Sequence, residues 1–133
     1  VQNVELTNPS ALFAPRGFSH VGIVPAGRRL IYVSGQVAVD ANNTLVGEGD
    51  FTAQATRVFE NLRIALAEAG ATFTDVVKFT TYLIRATDLP ALREIRDRFI
   101  DTQRPPASTL LVVAGLANPK FLLEIEAVAV APA

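Results

Sequence analysis

The chain has 133 residues, of which 50% are hydrophobic and 19% charged, with a net charge of −1 and no cysteine. That length suits one domain with its own core, and the lack of cysteine excludes thiol catalysis and a disulfide framework. The near-neutral balance lacks the clustered lysines and arginines of a polyanion binder, which argues against a nucleic-acid partner.

Residues 1–17 carry two prolines and a glycine without a sustained period and read as an extended N-terminal arm of a single 1–133 domain. Residues 18–24 (FSHVGIV) form a short strand closed by Pro25–Ala26–Gly27. Residues 29–39 (RLIYVSGQVAV) are β-rich, and Asp40–Ala41–Asn42–Asn43 supplies turn chemistry. Asp50 is a plausible cap for a helix over 51–69, where Ala55, Val58, Leu62, Ala65, Leu66 and Ala69 recur at helical spacing before the stop at Gly70.

Residues 75–84 (DVVKFTTYLI) alternate and are β-branched, hence a strand. A second helix is expected over 89–100, capped by Thr87 or Asp88, with Pro90 in its first turn and Leu89, Leu92, Ile95 and Phe99 inward. Strands at 108–114 and 121–130 end the chain, with a turn at Asn118–Pro119 between them. The order gives an α+β domain: one mixed sheet with two helices on one face. In the last strand Leu123, Ile125, Ala127 and Ala129 share a face, and Glu124, Glu126, Val128 and Val130 share the other. The 108–114 strand is apolar on both faces. Since the helices cover one side, a second subunit is the simplest cover for the other.

No run approaches the ~18–20 apolar residues of a bilayer span, and no basic-then-apolar segment opens the chain. A cytoplasmic protein without membrane contact is expected. One histidine and no cysteine leave a metal site only carboxylates, and these lack ligand spacing. His20 reads as a strand or interface histidine satisfied by a hydrogen bond. Arg93, Arg96 and Arg98, alternating with Glu94 and Asp97, read as a solvated helix face. Glu124 and Glu126 stand out as carboxylates in an apolar strand. Glu124 is read as a general acid or base, and Glu126 as paired with a lysine or arginine.

Four segments together resemble the RidA/YjgF (L-PSP endoribonuclease-like) family: YVSGQV at 32–37, QATRVFENLRIALAEAGATFTDVVKFTTYL at 54–83, RPPAST at 104–109 and LEIEAVAV at 123–130. The resemblance runs from about Phe18 onward. It implies a chorismate-mutase-like fold assembled as a homotrimer, with small-molecule clefts between subunits. It also implies hydrolysis of enamines and imines such as 2-aminoacrylate without metal or organic cofactor. Glu124 would position water, and Gly35 of the SGQ turn and Thr109 would line the cleft beside it.

The chain departs from the family pattern at the substrate. The arginine that grips the substrate carboxylate is Ser108 here, and the cysteine two residues on is Leu110. A tyrosine near the first strand is Phe18, and an asparagine of the second helix is Arg93. A guanidinium clamps a carboxylate with two charge-assisted bonds, whereas serine offers one neutral donor. Losing about 1.5–3 kcal/mol weakens binding or turnover roughly ten- to 150-fold. Arg93 and Arg104 are the candidates for a displaced cation. Three readings stay open: C–N hydrolysis on a substrate other than 2-aminoacrylate, a non-catalytic metabolite-binding trimer, and the ribonuclease activity of the family's older name.

Overall fold

The computed structural model describes residues 4–133. Strands β1 (Glu5–Thr7) and β2 (Val21–Ile23) pair antiparallel in a small sheet of their own. Then follow β3 (Leu30–Gln36), α1 (Phe51–Glu68), β4 (Val76–Leu83), α2 (Leu89–Arg96), β5 (Ala107–Val112) and β6 (Leu123–Val130). The main sheet runs β3-β6-β4-β5. β4 and β5 are parallel and the other pairs antiparallel, so the sheet is mixed and the domain α+β, as the order of elements implied.

Local signals set the limits of α1. The Asp50 carboxylate accepts from Ala53 N–H at 3.0 Å, satisfying one of the first-turn donors. At the other end Gly70 takes φ +72°, Ala71 N–H reaches Leu66 O and Gly70 N–H reaches Ala67 O. This is the Schellman pattern, which needs a left-handed residue there. The buried stripe of α1, with Ala55, Val58, Phe59, Leu62 and Leu66, packs with Leu92 and Ile95 of α2 onto one sheet face. That face carries Val33, Phe79, Leu83, Leu123, Ile125, Ala127 and Ala129.

Several elements differ from the sequence reading: β3 ends at Gln36, β5 ends at Val112 and β6 begins at Leu123, each two or three residues inside the expected bounds. The helix expected over 89–100 stops at Arg96. Tighter bonds follow, Arg98 N–H to Ile95 O and Phe99 N–H to Arg96 O, and they turn Phe99 onto Phe59, with ring centroids 5.2 Å apart. The first predicted strand shortens to Val21–Ile23 because Ser19 is held instead by the entrance of β5. The N-terminal arm is partly structured: Glu5–Thr7 is a strand and Val4 is buried, while residues 1–3 of the arm lie outside the described residues.

The opposite sheet face bears no helix. Leu30, Tyr32, Leu111 and Val128 lie on it beside Lys78, Thr80, Glu124 and Glu126, and Tyr32 is 75% exposed. On the other face of edge strand β5, Leu110 and Val112 are exposed as well. Among the described residues no helix is long and apolar enough to cross a membrane.

Gln54 joins the layers. It is wholly buried in α1, donates to Gly47 O at 3.1 Å and Lys120 O at 2.9 Å, and accepts from Leu122 N–H at 2.9 Å. Gln54→Leu keeps the volume but strands Lys120 O and Leu122 N–H, whereas Gly47 O still accepts from Asp50 N–H. Each unsatisfied buried group costs about 1–3 kcal/mol, so the variant should lose roughly 2–6 kcal/mol. A urea midpoint that falls at constant slope would register this, and a midpoint unchanged from wild type would show that Gln54 does not tie the loops.

Candidate functional site

Sequence-derived site residues fall into two groups. The first surrounds Glu124. Between Val33 and Gln36 the β3–β6 register slips, so Ser34 and Gly35 both stand against Glu126 in a bulge. A Cβ at Gly35 would clash with Glu124 Oε2 and lie 2.8 Å from its Cδ. The carboxylate of Glu124 therefore rests directly on the Gly35 backbone, which accounts for the glycine on steric grounds. Glu124 is half-buried and makes no hydrogen bond or ion pair among the described residues.

Glu126 is used differently. Tyr82 stands opposite Glu124 in the register, and its hydroxyl donates to Glu126 Oε1 at 2.5 Å. The partner of Glu126 is thus a phenol and not the lysine or arginine expected from sequence. The hydrogen bond to Glu126, then desolvation and the two nearby carboxylates, holds the Tyr82 phenol above its ordinary range. Of the two glutamates, one anchors a neighbour and the other makes no hydrogen bond among the described residues.

The second group surrounds Ser108. Ser19 N–H donates to Pro106 O at 3.0 Å and Ser19 Oγ to Pro105 O at 2.6 Å. These bonds lay residues 18–20 along the start of β5. Phe18 meets His20 edge-on, with centroids 5.2 Å apart, and His20 Nε2 lies 2.8 Å from Phe13 O. A hydrogen-bonded His20 is what the sequence suggested. Phe18, Ser108 and Leu110 then line a cavity of about 300 Å³ with Leu89, Arg93, Arg96 and Arg16. Phe18 and Ser108 also border a larger cavity of about 560 Å³, which Thr109 lines together with His20, Lys78 and Val128.

The structure thus brings Phe18, Arg93 and Ser108 together, with Thr109 next to them, and separately joins Gly35 to Glu124. Ser108 pairs with Phe79 and Glu124 with Tyr82, on opposite sides of β4. Phe79 belongs to the helix face and Tyr82 to the open one, so within one chain the two groups point from opposite faces. The two candidate cations are placed differently. Arg93 lines the Ser108 cavity, whereas Arg104 Nη2 donates to Val4 O at 2.9 Å and ties down the N-terminal segment. Sequence reasoning missed Arg16, Arg96 and Tyr82, because nothing local to them signals a site. Among the described residues no three histidine, aspartate or glutamate side chains are grouped to hold a metal.

The Tyr82–Glu126 bond has a pH signature. A phenol with a raised folded-state pKa adds stability that is complete below about pH 10, its unfolded value, and lost as pH rises through the folded value. In a Tyr32→Phe background, which leaves Tyr82 as the one tyrosine of the chain, alkaline absorbance titration should show a phenol step above pH ~10. Glu126→Gln should move that step down and Tyr82→Phe should remove it. A step indifferent to Glu126→Gln would refute the coupling.

The chain's likeness to known proteins agrees with this geometry. The family model described as Endoribonuclease L-PSP matches residues 9–131. A RutC family protein of Synechocystis sp. is 38% identical over 108 residues, 80% of this chain and 82% of that protein. The 3-aminoacrylate deaminase RutC of Acinetobacter baylyi is 34% identical over 108 residues, 80% of this chain and 84% of that one. The crystal structure of a Rid-family protein, YyfB of Yersinia pestis, superimposes with TM-score 0.89 at 38% identity, covering 96% of this chain and 98% of that chain. RidA from an Antarctic Psychrobacter gives TM-score 0.71 at 30% identity, covering 98% and 99%. Two helices on one face of a mixed sheet are therefore the frame of a known fold, and the chain belongs to the Endoribonuclease L-PSP family, also called the RidA/YjgF family.

Proposed function

We propose that this protein is a cytoplasmic, homotrimeric hydrolase that opens the C–N bond of a small enamine or imine other than 2-aminoacrylate, without a cofactor. The observation that carries this reading is Glu124: a carboxylate that, among the described residues, has no hydrogen-bond or ion-pair partner, seated on the Gly35 backbone on a sheet face that no helix covers. Its second support is the separation of the Glu124 and Ser108 groups on opposite faces. A cleft containing both is completed by a second copy of the chain docked on the open face. The deaminase name of the Acinetobacter relative points to the same class of bond.

The chemistry balances with one carboxylate. The enamine tautomerises to its imine. Glu124 takes a proton from water as the oxygen adds to the imine carbon and returns it to the imine nitrogen, giving a neutral carbinolamine. Glu124 then relays the hydroxyl proton to the same nitrogen, the C–N bond breaks as the oxygen's electron pair forms the carbonyl, and ammonia leaves. Backbone N–H groups near Gly35 and at Ser108–Thr109 would hold the charge that develops. General acid–base assistance of this kind contributes about 10²–10⁴-fold.

A second reading, a metabolite-binding trimer without catalysis, is favoured by one observation: the strand position of the family's carboxylate-gripping arginine holds Ser108. Ammonia release from a panel of small enamines separates the two. Glu124→Gln should lower turnover by about 10²–10⁴ while light scattering still finds three chains. Gly35→Ala, which drives its Cβ into the same carboxylate, should do likewise. With 2-aminoacrylate, wild type should be slow and Ser108→Arg faster. Saturable binding without product would favour the second reading, and a stable monomer at micromolar concentration would remove the shared cleft.

A further inference from the structure

We propose that the cavity between Arg16, Arg93, Arg96 and Ser108 binds a small dianion, a dicarboxylate or a phosphomonoester. The inference deepens the proposed function and rests on its reading of the Ser108 cavity as the half of the cleft that holds the substrate's charged end.

The charges are the first argument. Arg93 and Arg96, three residues apart on α2, project to one side, and Arg16 arrives from the N-terminal segment to line the same two cavities. One carboxylate accompanies them: Arg96 donates from Nε and Nη2 to Asp97 Oδ1 at 3.0 and 2.9 Å. Three guanidinium groups against one carboxylate leave two positive charges. Arg16 and Arg93 have no hydrogen-bond or ion-pair partner among the described residues. By contrast Arg63, Arg85 and Arg98 are each paired with an acid three or four residues away, Glu60, Asp88 and Glu94. Like charges at helical spacing repel, and a bound dianion relieves that repulsion while filling both forks.

The backbone is the second argument. Gly17 adopts φ +77°, and a Cβ there would sit 2.5 Å from Arg96 Nη2. The chain thus passes flat against the Arg96 guanidinium and delivers Arg16 beside it, in a conformation that favours glycine. Ser108 adds a hydroxyl donor, and the Phe18 ring closes one side. In place of one cation on the strand, this chain sets two unpaired ones on α2 and the N-terminal segment. That arrangement fits a ligand bearing more charge than a monocarboxylate.

The test is calorimetric titration of the 133-residue chain with inorganic phosphate, succinate and acetate at mildly alkaline pH. Phosphate or succinate should bind at least about tenfold tighter than acetate, with an affinity that falls steeply with salt. Arg16→Gln and Arg93→Gln should each weaken the dianion by about tenfold. Lys120→Gln, a cation paired with Glu48 elsewhere, should bind as wild type does. Whichever of phosphate and succinate binds tighter names the source. Acetate binding as tightly as both dianions, or two arginine variants that bind like wild type, would overturn the proposal. Because all three variants alter exposed side chains, unchanged melting temperatures should accompany them. Binding needs no turnover: dianion affinity without ammonia release sinks the hydrolase reading alone, and turnover without dianion affinity sinks this one alone.

Discussion

Both helices lie on one face of a four-stranded sheet, and the rest of the molecule depends on that one-sided cover. The covered face can bury Leu123, Ile125, Ala127 and Ala129 against the stripe of α1. The alternate residues of the same strands must then project from a face that no helix shields. Polar and apolar groups share that face: Glu124, Glu126, Tyr82 and Lys78 beside Tyr32, Leu30 and Val128. A surface of this mixed kind suits contact with another polypeptide better than contact with water alone.

Within that face, the backbone decides what each carboxylate does. The extra residue in β3 brings Gly35 under Glu124, and the missing Cβ gives the carboxylate its place. Two register positions along, Glu126 is engaged by the Tyr82 hydroxyl. Two glutamates separated by a single isoleucine thus receive opposite assignments from their cross-strand neighbours. Their shared strand and shared face do not separate them.

At the edge of the sheet the same logic gives Ser108 its surroundings. The prolines before β5 expose their carbonyls to Ser19, which holds Phe18 against the strand. Phe13, Phe18 and His20 brace one another edge-on. The short α2 lies across the way and presents Arg93 and Arg96 to the same space. Ser108 of the strand and Arg93 of the helix therefore meet at one cavity, although the two positions are apart in the chain.

Much of the frame was legible in the residues themselves, because local periodicity reports which side of an element is buried. Spacing, Asp50 and Gly70 gave α1 to within a residue, and the alternation of LEIEAVAV separated the core face of β6 from the open one. Family segments named the fold and drew attention to Gly35, Ser108 and Glu124. Long-range packing supplied the rest. The end of α2 depends on Phe99 turning onto Phe59, the strand at Glu5–Thr7 on a partner beyond a proline-containing loop, and the role of Glu126 on a phenol from β4. Arg104 rather than Arg93 is drawn away because Val4 O happens to lie within its reach. Helical spacing alone left Arg93 and Arg96 on a solvated face. What makes them a candidate site is the left-handed turn at Gly17 that sets Arg16 beside them, and a backbone path of that kind is decided by tertiary packing, which no local pattern encodes.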